Sequence, residues 1–358
     1  MQLSEAQAAE PTHNVVACRG GETTRLEARP LPMPAAGEML LRLRVVGFCG
    51  TDLFKLRTGS ASPGSVLGHE LVGTVAALGP SVEKFAIGDR VVAPHHVACG
   101  ECVFCRRGAE TMCAVFKENL LEPGGFADQI LVRARALALA ARKLPNHLSD
   151  ESAVFMEPAA CVLRGIDRSG LQAEGSVAVL GSGSMGLLHL LVLRAAFPHV
   201  PVVMVDPDLA RLKLAKDLGA AAAAPPGEAA FAAVRALTDG IGADAVFDTV
   251  GGERALQAGV ELTRPGGTVV LFAHALADER SAVDLNAIFK SERRIVATYS
   301  GALGEQQRIF DLLCSGALDP SPLVTHTMPL DDFAHGVALV VARKALKVLF
   351  TPSRGAAA

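Results

Sequence analysis

Side chains that commonly bind metal lie in two short segments early in the chain. Cys49 opens the sequence Cys-Gly-Thr-Asp, and His69 and Glu70 follow Gly68. A thiolate, an imidazole and a carboxylate form a set that zinc accepts, and a catalytic zinc keeps a further position for water or substrate. Each motif alone is weak, because a lone His-Glu pair is more often a surface or core feature. The prediction of a catalytic zinc at Cys49, His69 and Glu70 therefore depends on the rest of the chain.

Four further cysteines lie in one short segment. Cys99, Cys102, Cys105 and Cys113 have the spacing C-x2-C-x2-C-x7-C. Four thiolates in a tight loop complete a tetrahedral shell without an open position, which is typical of a structural zinc. An iron–sulfur cluster is the alternative, since three close cysteines and a fourth also suit it. No second cluster motif and no Cys-Pro follows, so we favour zinc.

A glycine-rich segment predicts a dinucleotide site. Val177–Leu180 has the pattern of a buried strand, and Gly181 to Gly186 spells G-x-G-x-x-G. A helix is expected over Leu187–Ala196, and the strand Val202–Val205 ends in front of Asp206. In this context the glycines permit a tight turn and close approach of a pyrophosphate to the helix N-terminus. The charge of Asp206 favours NAD over NADP, unless this residue merely forms a turn. The predicted cofactor contacts are Gly181, Gly183, Ser184, Met185, Gly186, Asp206 and Arg211.

The elements that must position these residues follow two patterns. In the first part of the chain, short apolar runs are cut by Gly and Pro, and Leu41, Leu43 and Val45 alternate with arginines as in a half-buried strand. From about residue 160 to 300, strands alternate with helices, which predicts a parallel, doubly wound sheet. Within this part, a turn is expected at Arg264–Gly267, before a strand over Thr268–Phe272. We therefore predict an α/β protein. Its expected parts are a β-rich catalytic domain over 1–157, beginning with a loose arm over 1–13, a Rossmann nucleotide domain over 158–300, and a return to the catalytic domain over 301–358.

Composition narrows the classes of function. The 358 residues suit two domains, and 50% hydrophobic with 20% charged residues allow a large core. A net charge of -3, no Trp and one Tyr give no reason to expect nucleic acid or an anionic membrane as a partner. We see no signal peptide and no apolar run that could span a bilayer, so we expect a cytoplasmic protein. Four of the eight cysteines are crowded together, which favours metal over disulfides.

Together, these motifs resemble those of the zinc-containing medium-chain alcohol dehydrogenases. The resemblance runs from about Val15 to Phe350. It rests, in the family's order, on Cys49-Gly-Thr-Asp52, Gly68-His69-Glu70, Gly88-Asp89-Arg90-Val91, the four-cysteine segment and the glycine loop with Asp206. Glu157-Pro158 stands where liver-type enzymes have a third ligand cysteine and the polyol enzymes have a glutamate. The chain therefore resembles the sorbitol and threonine dehydrogenases more than the liver type. The resemblance implies a GroES-like catalytic domain, completed by the C-terminal tail, with the nucleotide domain inserted.

The resemblance also implies a reaction. Zinc held by Cys49 and His69, with Glu70 and Glu157 as further ligands or close neighbours, stabilises a substrate alkoxide whose carbon passes hydride to NAD. Thr51 resembles the family's hydroxyl that accepts the proton, although it would also serve as the N-cap of the helix that follows. We expect two zinc ions per chain, NAD, a small-molecule alcohol or ketone substrate, and a homodimer or homotetramer.

Two positions affect the proton path and the substrate pocket. Many relatives carry a histidine at the place of Phe54, where it passes the proton to solvent, so water or Glu157 must serve here. His96, three residues before Cys99, matches a histidine of the threonine dehydrogenases. Because His95 stands beside it, both a substrate contact and a polar loop remain open.

Carboxylates near the zinc suggest the class of substrate. If Glu70 and Glu157 both lie close, the site is more anionic and the metal a poorer Lewis acid, which a substrate with a second donor would help to offset. We therefore hypothesise a secondary alcohol of polyol, cyclitol, sugar or amino-alcohol type. Glu157 could instead cap a helix or pair with Arg164.

Two other functions compete with this interpretation. A zinc-free reductase of quinones or enoyl groups would have lost Cys49, His69 and Glu70, all of which are present. A non-catalytic NAD-binding protein is disfavoured because both cysteine-containing sets and the nucleotide loop are intact.

Overall fold

The computed structural model describes residues 11–276 and 278–356. Its strands are β1 (Thr12–Gly20), β2 (Thr23–Pro30), β3 (Met39–Gly47), β4 (Glu70–Leu78), β5 (Arg90–Val92), β6 (Leu121–Glu122), β7 (Gln129–Val132), β8 (Arg142–Lys143), β9 (Val177–Leu180), β10 (Val202–Val205), β11 (Ala222–Ala224), β12 (Ala243–Asp248), β13 (Thr263–Leu271), β14 (Arg294–Ala297), β15 (Val324–Pro329) and β16 (Lys347–Thr351). Its helices are α1 (Gly50–Thr58), α2 (Val103–Arg106), α3 (Ala134–Leu139), α4 (Asp150–Ala153), α5 (Met156–Ser169), α6 (Ser184–Ala196), α7 (Leu209–Asp217), α8 (Glu228–Leu237), α9 (Glu253–Leu262), α10 (Leu285–Phe289), α11 (Leu303–Cys314) and α12 (Phe333–Val341). Short 3₁₀ turns occupy Glu110–Met112, Ser321–Leu323 and Leu330–Asp332.

The chain divides into two compact units. The first unit comprises the residues up to Val97, Lys117–Asn146 and the segment from His326 on, and the second comprises Ala98–Phe116 and His147–Thr325. The four-cysteine segment and residues 301–325 thus lie in the second unit, whereas our division by sequence assigned them to the catalytic domain. The functional domain boundaries stay a prediction. Strand β1 begins at Thr12, so the expected arm ends earlier than residue 13, and residues 1–10 lie outside the described part.

The first unit is organised around β3. This strand pairs antiparallel with β4, β7 and β16, in a sheet whose main path runs β15-β16-β3-β4-β5-β8. Leu41 and Leu43 are buried while Arg42 and Arg44 are exposed, which confirms the predicted half-buried strand. Strands β4 and β16 flank the end of β3, since Gly47 pairs with both Glu70 and Leu349. This register brings the first residues of two distant strands to one place.

The C-terminal segment packs into the core of the first unit. The rings of Phe333 and Phe350 lie 4.7 and 5.8 Å from the ring of Phe126, measured between centroids, and Phe350 is fully buried. Aromatic side chains bury large apolar areas. Burial of these rings therefore ties the last strand to residues more than half a chain away.

The second unit contains a six-stranded parallel sheet with the order β11-β10-β9-β12-β13-β14. All residues of β9 and β10 are buried, as expected where helices cover both faces of a parallel sheet. The order of the strands reverses between β9 and β12, and ligands of such sheets bind at the carboxyl ends of the strands near this point. The predicted α/β fold class is confirmed, as are the bounds of β9 and β10.

Two local predictions in the second unit were wrong. The segment Arg264–Gly267, predicted as a turn, lies inside β13, where the register against β12 shifts. The helix after the glycine loop begins at Ser184 and not at Leu187, because the loop itself forms the helix start. No helix in the described ranges combines the length and apolar content that crossing a membrane requires.

Candidate active site

Cys49 is held at the start of a helix. It is the N-cap of α1, and its Sγ accepts a hydrogen bond from the Thr51 backbone N–H at 3.4 Å. In return, Asp52 Oδ2 accepts from the Cys49 backbone N–H at 3.1 Å. This reciprocal capping fixes the thiol at the positive end of the helix, a favourable place for an anionic ligand. Thr51 is the second residue of the helix, so its alternative role as N-cap was wrong.

Asp52 also orients His69. The His69 Nδ1 atom lies 3.4 Å from Asp52 Oδ1, and both side chains are buried. Burial favours the neutral imidazole, but Asp52 and Cys49 outweigh burial and raise the pKa of His69 well above its usual range. A carboxylate on Nδ1 leaves Nε2 to face a metal, the common arrangement of ligating histidines. The spacing Cys-x-x-Asp is the signal from which this role of Asp52 could have been found.

Glu70 forms a buried ion pair with Lys347. Glu70 Oε2 pairs with Lys347 Nζ, which also lies 3.4 Å from the carbonyl oxygen of Phe48. A Cβ atom at Gly47 would lie 2.9 Å from Lys347 Cε and would overlap Glu70 Oε2, so the pair requires glycine at that position. The second oxygen, Glu70 Oε1, is buried without a hydrogen-bond partner among the described residues. An unpartnered buried carboxylate oxygen is costly unless something else binds it.

The structure brings the predicted ligands of the first unit together. Each of Cys49, His69 and Glu70 contributes one ligand atom, and these three atoms lie within 4.8 Å of one another. Sulfur, imidazole nitrogen and carboxylate oxygen are the donors that zinc accepts. The orphaned Glu70 Oε1 and the oriented imidazole both fit a metal ion at this place.

Two more histidines lie beside this set. The His95 ring is 4.5 Å from the His69 ring and 3.6 Å from the His96 ring, measured between centroids. Burial lowers the pKa of His95 well below its usual range and lowers the pKa of His96 to about 3. His95 Nδ1 is buried and lacks a hydrogen-bond partner in the described ranges. Both rings are therefore neutral, and His95 contacts a predicted zinc ligand directly.

Glu157 lies in the second unit, as the second residue of α5. It is 9% exposed, and Cys161 Sγ donates to its Oε1 at 3.4 Å. Arg164, which we had considered as its ion-pair partner, binds Glu305 and Glu110 instead. The alternative role of Glu157 as a partner of Arg164 was therefore wrong. Its role as a zinc ligand stays a prediction.

The four cysteines of the second unit converge. Their ligand atoms lie within 4.8 Å of one another, and the sulfur of Cys99 lies 3.6 Å from that of Cys113 and 3.9 Å from that of Cys105. Zinc–sulfur bonds of about 2.3 Å in a tetrahedron place sulfurs about 3.8 Å apart. This spacing suits one ion and leaves no room for a cluster of several irons and sulfides. Backbone hydrogen bonds from Glu101 and Cys102 lower the pKa of Cys99 to about 7, which favours the thiolate that a metal requires.

The glycine loop has the geometry of a phosphate cradle. Gly181 follows β9 with φ of 95°, a conformation that favours glycine. A Cβ atom at Gly186 would lie 2.8 Å from the carbonyl carbon of Gly181, so only glycine permits this approach of helix to loop. Gly183 is the N-cap of α6, without a side chain over the first-turn amides of Ser184 and Met185. No side chain of the described residues caps this helix start, so its amides can bind a pyrophosphate.

Asp206 and Arg211 meet this loop. Asp206 Oδ2 accepts from the Ser182 backbone N–H at 2.7 Å, and Oδ1 accepts from the Asp208 N–H at 2.9 Å. Arg211 Nη1 would lie 3.8 Å from a Cβ atom placed on Gly183. Each carboxylate oxygen can accept a second bond. The structure therefore places Asp206 and Arg211, two of the predicted cofactor contacts, beside the glycine loop.

Comparison with known proteins identifies two families of domain. Residues 35–142 match the alcohol dehydrogenase GroES-like domain, and residues 184–314 match the zinc-binding dehydrogenase domain. The L-threonine 3-dehydrogenase of Thermococcus kodakarensis is 30% identical, over 91% of this chain and 93% of that protein. The sorbitol dehydrogenase of Bacillus subtilis is 28% identical, over 92% of this chain and 94% of that protein.

A solved structure agrees with these relatives. An alcohol dehydrogenase from Escherichia coli CFT073, crystallised with NADH, superposes with a TM-score of 0.84 at 27% identity, over 95% of this chain and 99% of that one. These similarities confirm the predicted enzyme class, an oxidoreductase acting on CH–OH groups, and zinc as a cofactor. The NADH in that solved structure agrees with the predicted cofactor NAD. The chain belongs to the zinc-containing medium-chain alcohol dehydrogenase family, in its sorbitol and threonine dehydrogenase-like branch.

Proposed function

We propose that this chain reversibly oxidises a secondary alcohol with a neighbouring hydroxyl or amine to the ketone, using NAD. The observation that carries the proposal is the convergence of Cys49, His69 and Glu70, with their ligand atoms within 4.8 Å. A zinc-free reductase has no use for this set. A non-catalytic protein has no use for the orientation of His69 by Asp52.

The chain's own residues would prepare the metal site. Cys49 and His69 would hold the catalytic zinc, with Glu70 and Glu157 as further ligands or close neighbours. Zinc, when bound, supplies a Lewis acid that stabilises negative charge on the substrate oxygen. Capping fixes Cys49 and Asp52 fixes His69, so little reorganisation is needed on binding. Lys347 holds one oxygen of Glu70 and leaves Oε1 as the oxygen able to face the metal.

Lys347 lowers the negative charge that we had expected around the metal site. The ammonium group offsets the charge of Glu70, so the site is less anionic than two uncompensated carboxylates would make it. Two other observations now support the substrate class. Sorbitol and threonine, after which two relatives are named, both carry a donor beside the carbinol carbon. His95 places next to His69 a nitrogen atom that has no hydrogen-bond partner among the described residues, so a second polar group of a substrate would be stabilised there.

The cofactor and the proton would be handled by separate elements. Gly181, Gly183 and Gly186, with the amides of Ser184 and Met185, cradle the pyrophosphate of NAD, and Asp206 and Arg211 hold the adenosine ribose. NAD supplies the acceptor for the hydride. The Thr51 hydroxyl accepts the substrate proton. Phe54 has no titratable group, so water or Glu157 passes this proton on.

Metal content tests the two predicted zinc sites. Protein purified without chelator should contain about two zinc ions per chain, one per ligand set. Cys49→Ser should lose about one zinc and nearly all turnover while keeping its fold, because an open site contributes less to folding. Cys102→Ser should lower stability, since a closed structural site contributes to folding directly. Iron with sulfide would contradict the assignment of the four cysteines.

Glu157→Gln tests the role of the carboxylate. If Glu157 binds the metal or its water, kcat/KM for the best diol should fall about tenfold or more. Glu151→Gln, an exposed glutamate on the preceding helix, is the matched control and should change nothing. An unchanged rate and zinc content in Glu157→Gln would reject this role.

We also propose that the chain forms a homodimer or homotetramer in the cytoplasm. Among the described strands, β14 lies at one edge of the parallel sheet, and Leu285 and Phe289 nearby in sequence are 75% and 81% exposed. Unpaired edge strands and exposed apolar side chains favour association. Phe289→Glu should shift the mass measured by light scattering toward the monomer. Reduced, metal-binding thiols suit a reducing compartment.

A further inference from the structure

One face of α5 carries three side chains that form a line. Glu157, Cys161 and Arg164 are spaced by four and three residues, so they lie on the same side of the helix. Cys161 Sγ donates to Glu157 Oε1 at 3.4 Å. The line therefore begins at the carboxylate that we assign to the catalytic metal and ends two turns later at Arg164.

Arg164 is a buried cation with fixed partners. It is 5% exposed. Its Nη1 lies 3.0 Å from Glu305 Oε1 and 3.6 Å from Glu110 Oε2, and its Nη2 donates to the Gly108 carbonyl at 3.2 Å. A planar guanidinium group can serve these partners at once, whereas a lysine ammonium cannot reach all of them. Loss of one partner leaves a buried charge incompletely compensated.

Two of these partners belong to the four-cysteine segment. Gly108 donates its N–H to the carbonyl of Cys105 at 3.1 Å, and the carbonyl of Glu110 accepts from the N–H of Cys113 at 3.0 Å. Arg164 is thus one backbone hydrogen bond away from each of two predicted metal ligands. The third partner, Glu305, is also fixed, because its other oxygen accepts from the Ala302 N–H at 3.0 Å.

We propose that Arg164 is a positioning residue that couples the four-cysteine segment to Glu157. Through Gly108 and Glu110 it holds α5 against that segment, so the conformation imposed by the metal there also sets the position of the Glu157 carboxylate. The proposal rests on the proposed function of Glu157 and of the four-cysteine site. All residues of the link lie in the second unit.

Arg164→Met and Arg164→Lys test this role, with Arg168→Met as the matched control. Arg168 lies one turn further on the same helix, is exposed, and donates to the Ala297 carbonyl at 2.7 Å. At full zinc content, Arg164→Met should lower kcat about tenfold, with KM for the alcohol and Kd for NAD within about twofold of the parent. The kcat of Arg164→Lys should lie between those of Arg164→Met and the parent, and the kcat of Arg168→Met should match that of the parent.

A second readout does not depend on turnover. The rate at which the four-cysteine site releases zinc to a chromogenic chelator should rise about tenfold in Arg164→Met and stay unchanged in Arg168→Met. If Arg164→Met does not fold, Glu110→Gln removes one partner of Arg164 from the other side. Like Arg164→Met, this variant should raise the rate of zinc release and lower kcat.

The outcomes are separable. A folded, zinc-loaded Arg164→Met with parental kcat, or with a parental release rate, would overturn the coupling. An equal loss of kcat in Arg168→Met would mean that both variants act through the stability of α5 and not through coupling by Arg164. An inactive parent enzyme would instead contradict the proposed function, and the release rate would then still decide whether Arg164 holds the four-cysteine segment.

Discussion

At the scale of single residues, Lys347 is the functional neighbour that the sequence did not reveal. It lies 277 residues from Glu70, and no local pattern marks it, since a lysine at the start of a strand is ordinary. The pair exists because β4 and β16 both flank the end of β3 and because Gly47 leaves room for it. By contrast, His69 and Cys49 were predictable, because their residue types and short motifs already carry the chemistry.

Lys347→Met should expose the dependence of the site on this pair. It leaves the buried Glu70 carboxylate without its cation, which costs about 3–5 kcal/mol of unfolding free energy. Urea unfolding at neutral pH measures the loss. The double variant Glu70→Gln/Lys347→Met removes both charges and should recover a large part of this stability. A single variant as stable as the parent would contradict a buried, charged pair.

His189 should make stability depend on pH. It is fully buried, and burial lowers its pKa to about 4 against the opposing effect of the Met185 carbonyl. Because the folded pKa lies below the unfolded value of 6.5, the unfolded chain binds the extra proton. The contribution is fully present above pH 6.5 and is lost as the pH falls toward 4, at up to about 1.4 kcal/mol per pH unit.

Comparison with His189→Leu isolates this contribution from other histidines. The free energy of unfolding should fall less steeply between about pH 7 and pH 5 in the variant than in the parent. Parallel pH profiles for the two proteins would contradict a neutral, buried His189.

At the scale of elements, the bounds of β9 and β10 were predictable to the residue, whereas α6 begins at Ser184 and not at the predicted Leu187. Buried strands of this kind are short apolar runs, and glycines at fixed spacing have a steric cause that sequence displays directly. The predicted bounds were wrong where pairing between strands outweighed the local turn composition. The Pro-Gly-Gly segment of residues 265–267 has turn composition, yet pairing with neighbouring strands draws it into β13.

Asp206→Asn should alter cofactor choice. Asparagine keeps an oxygen for the Ser182 N–H but loses the charge that holds the ribose and repels a 2′-phosphate. A hydrogen bond to a charged group contributes about 1.5–3 kcal/mol, so kcat/KM for NAD should fall roughly 10- to 100-fold. The ratio of NADP to NAD use should rise. Asp217→Asn, which changes an exposed carboxylate at the end of α7, is the control and should keep the parental ratio. Equal use of both cofactors by the parent would refute the role of Asp206.

At the scale of the whole molecule, the order of motifs along the chain predicted the α/β class, the GroES-like and Rossmann parts and the family. How distant segments group into the two compact units is not visible in that order. The four-cysteine segment belongs with the second unit, because Arg164 and its partners Gly108 and Glu110 are joined there by contacts between residues far apart in sequence. Such contacts leave no periodic pattern, so a sequence alone cannot show them.

In the proposed function, the chain uses NAD to oxidise a secondary alcohol that carries a neighbouring hydroxyl or amine, at a zinc site formed by Cys49 and His69. Its most direct test compares butane-2,3-diol with butan-2-ol, which differ only in the second hydroxyl, by NADH formation in the parent and in Cys49→Ser. The proposed function predicts kcat/KM at least about tenfold higher for the diol and almost no NADH from Cys49→Ser. Equal or better use of butan-2-ol, or a parental rate in Cys49→Ser, would contradict it.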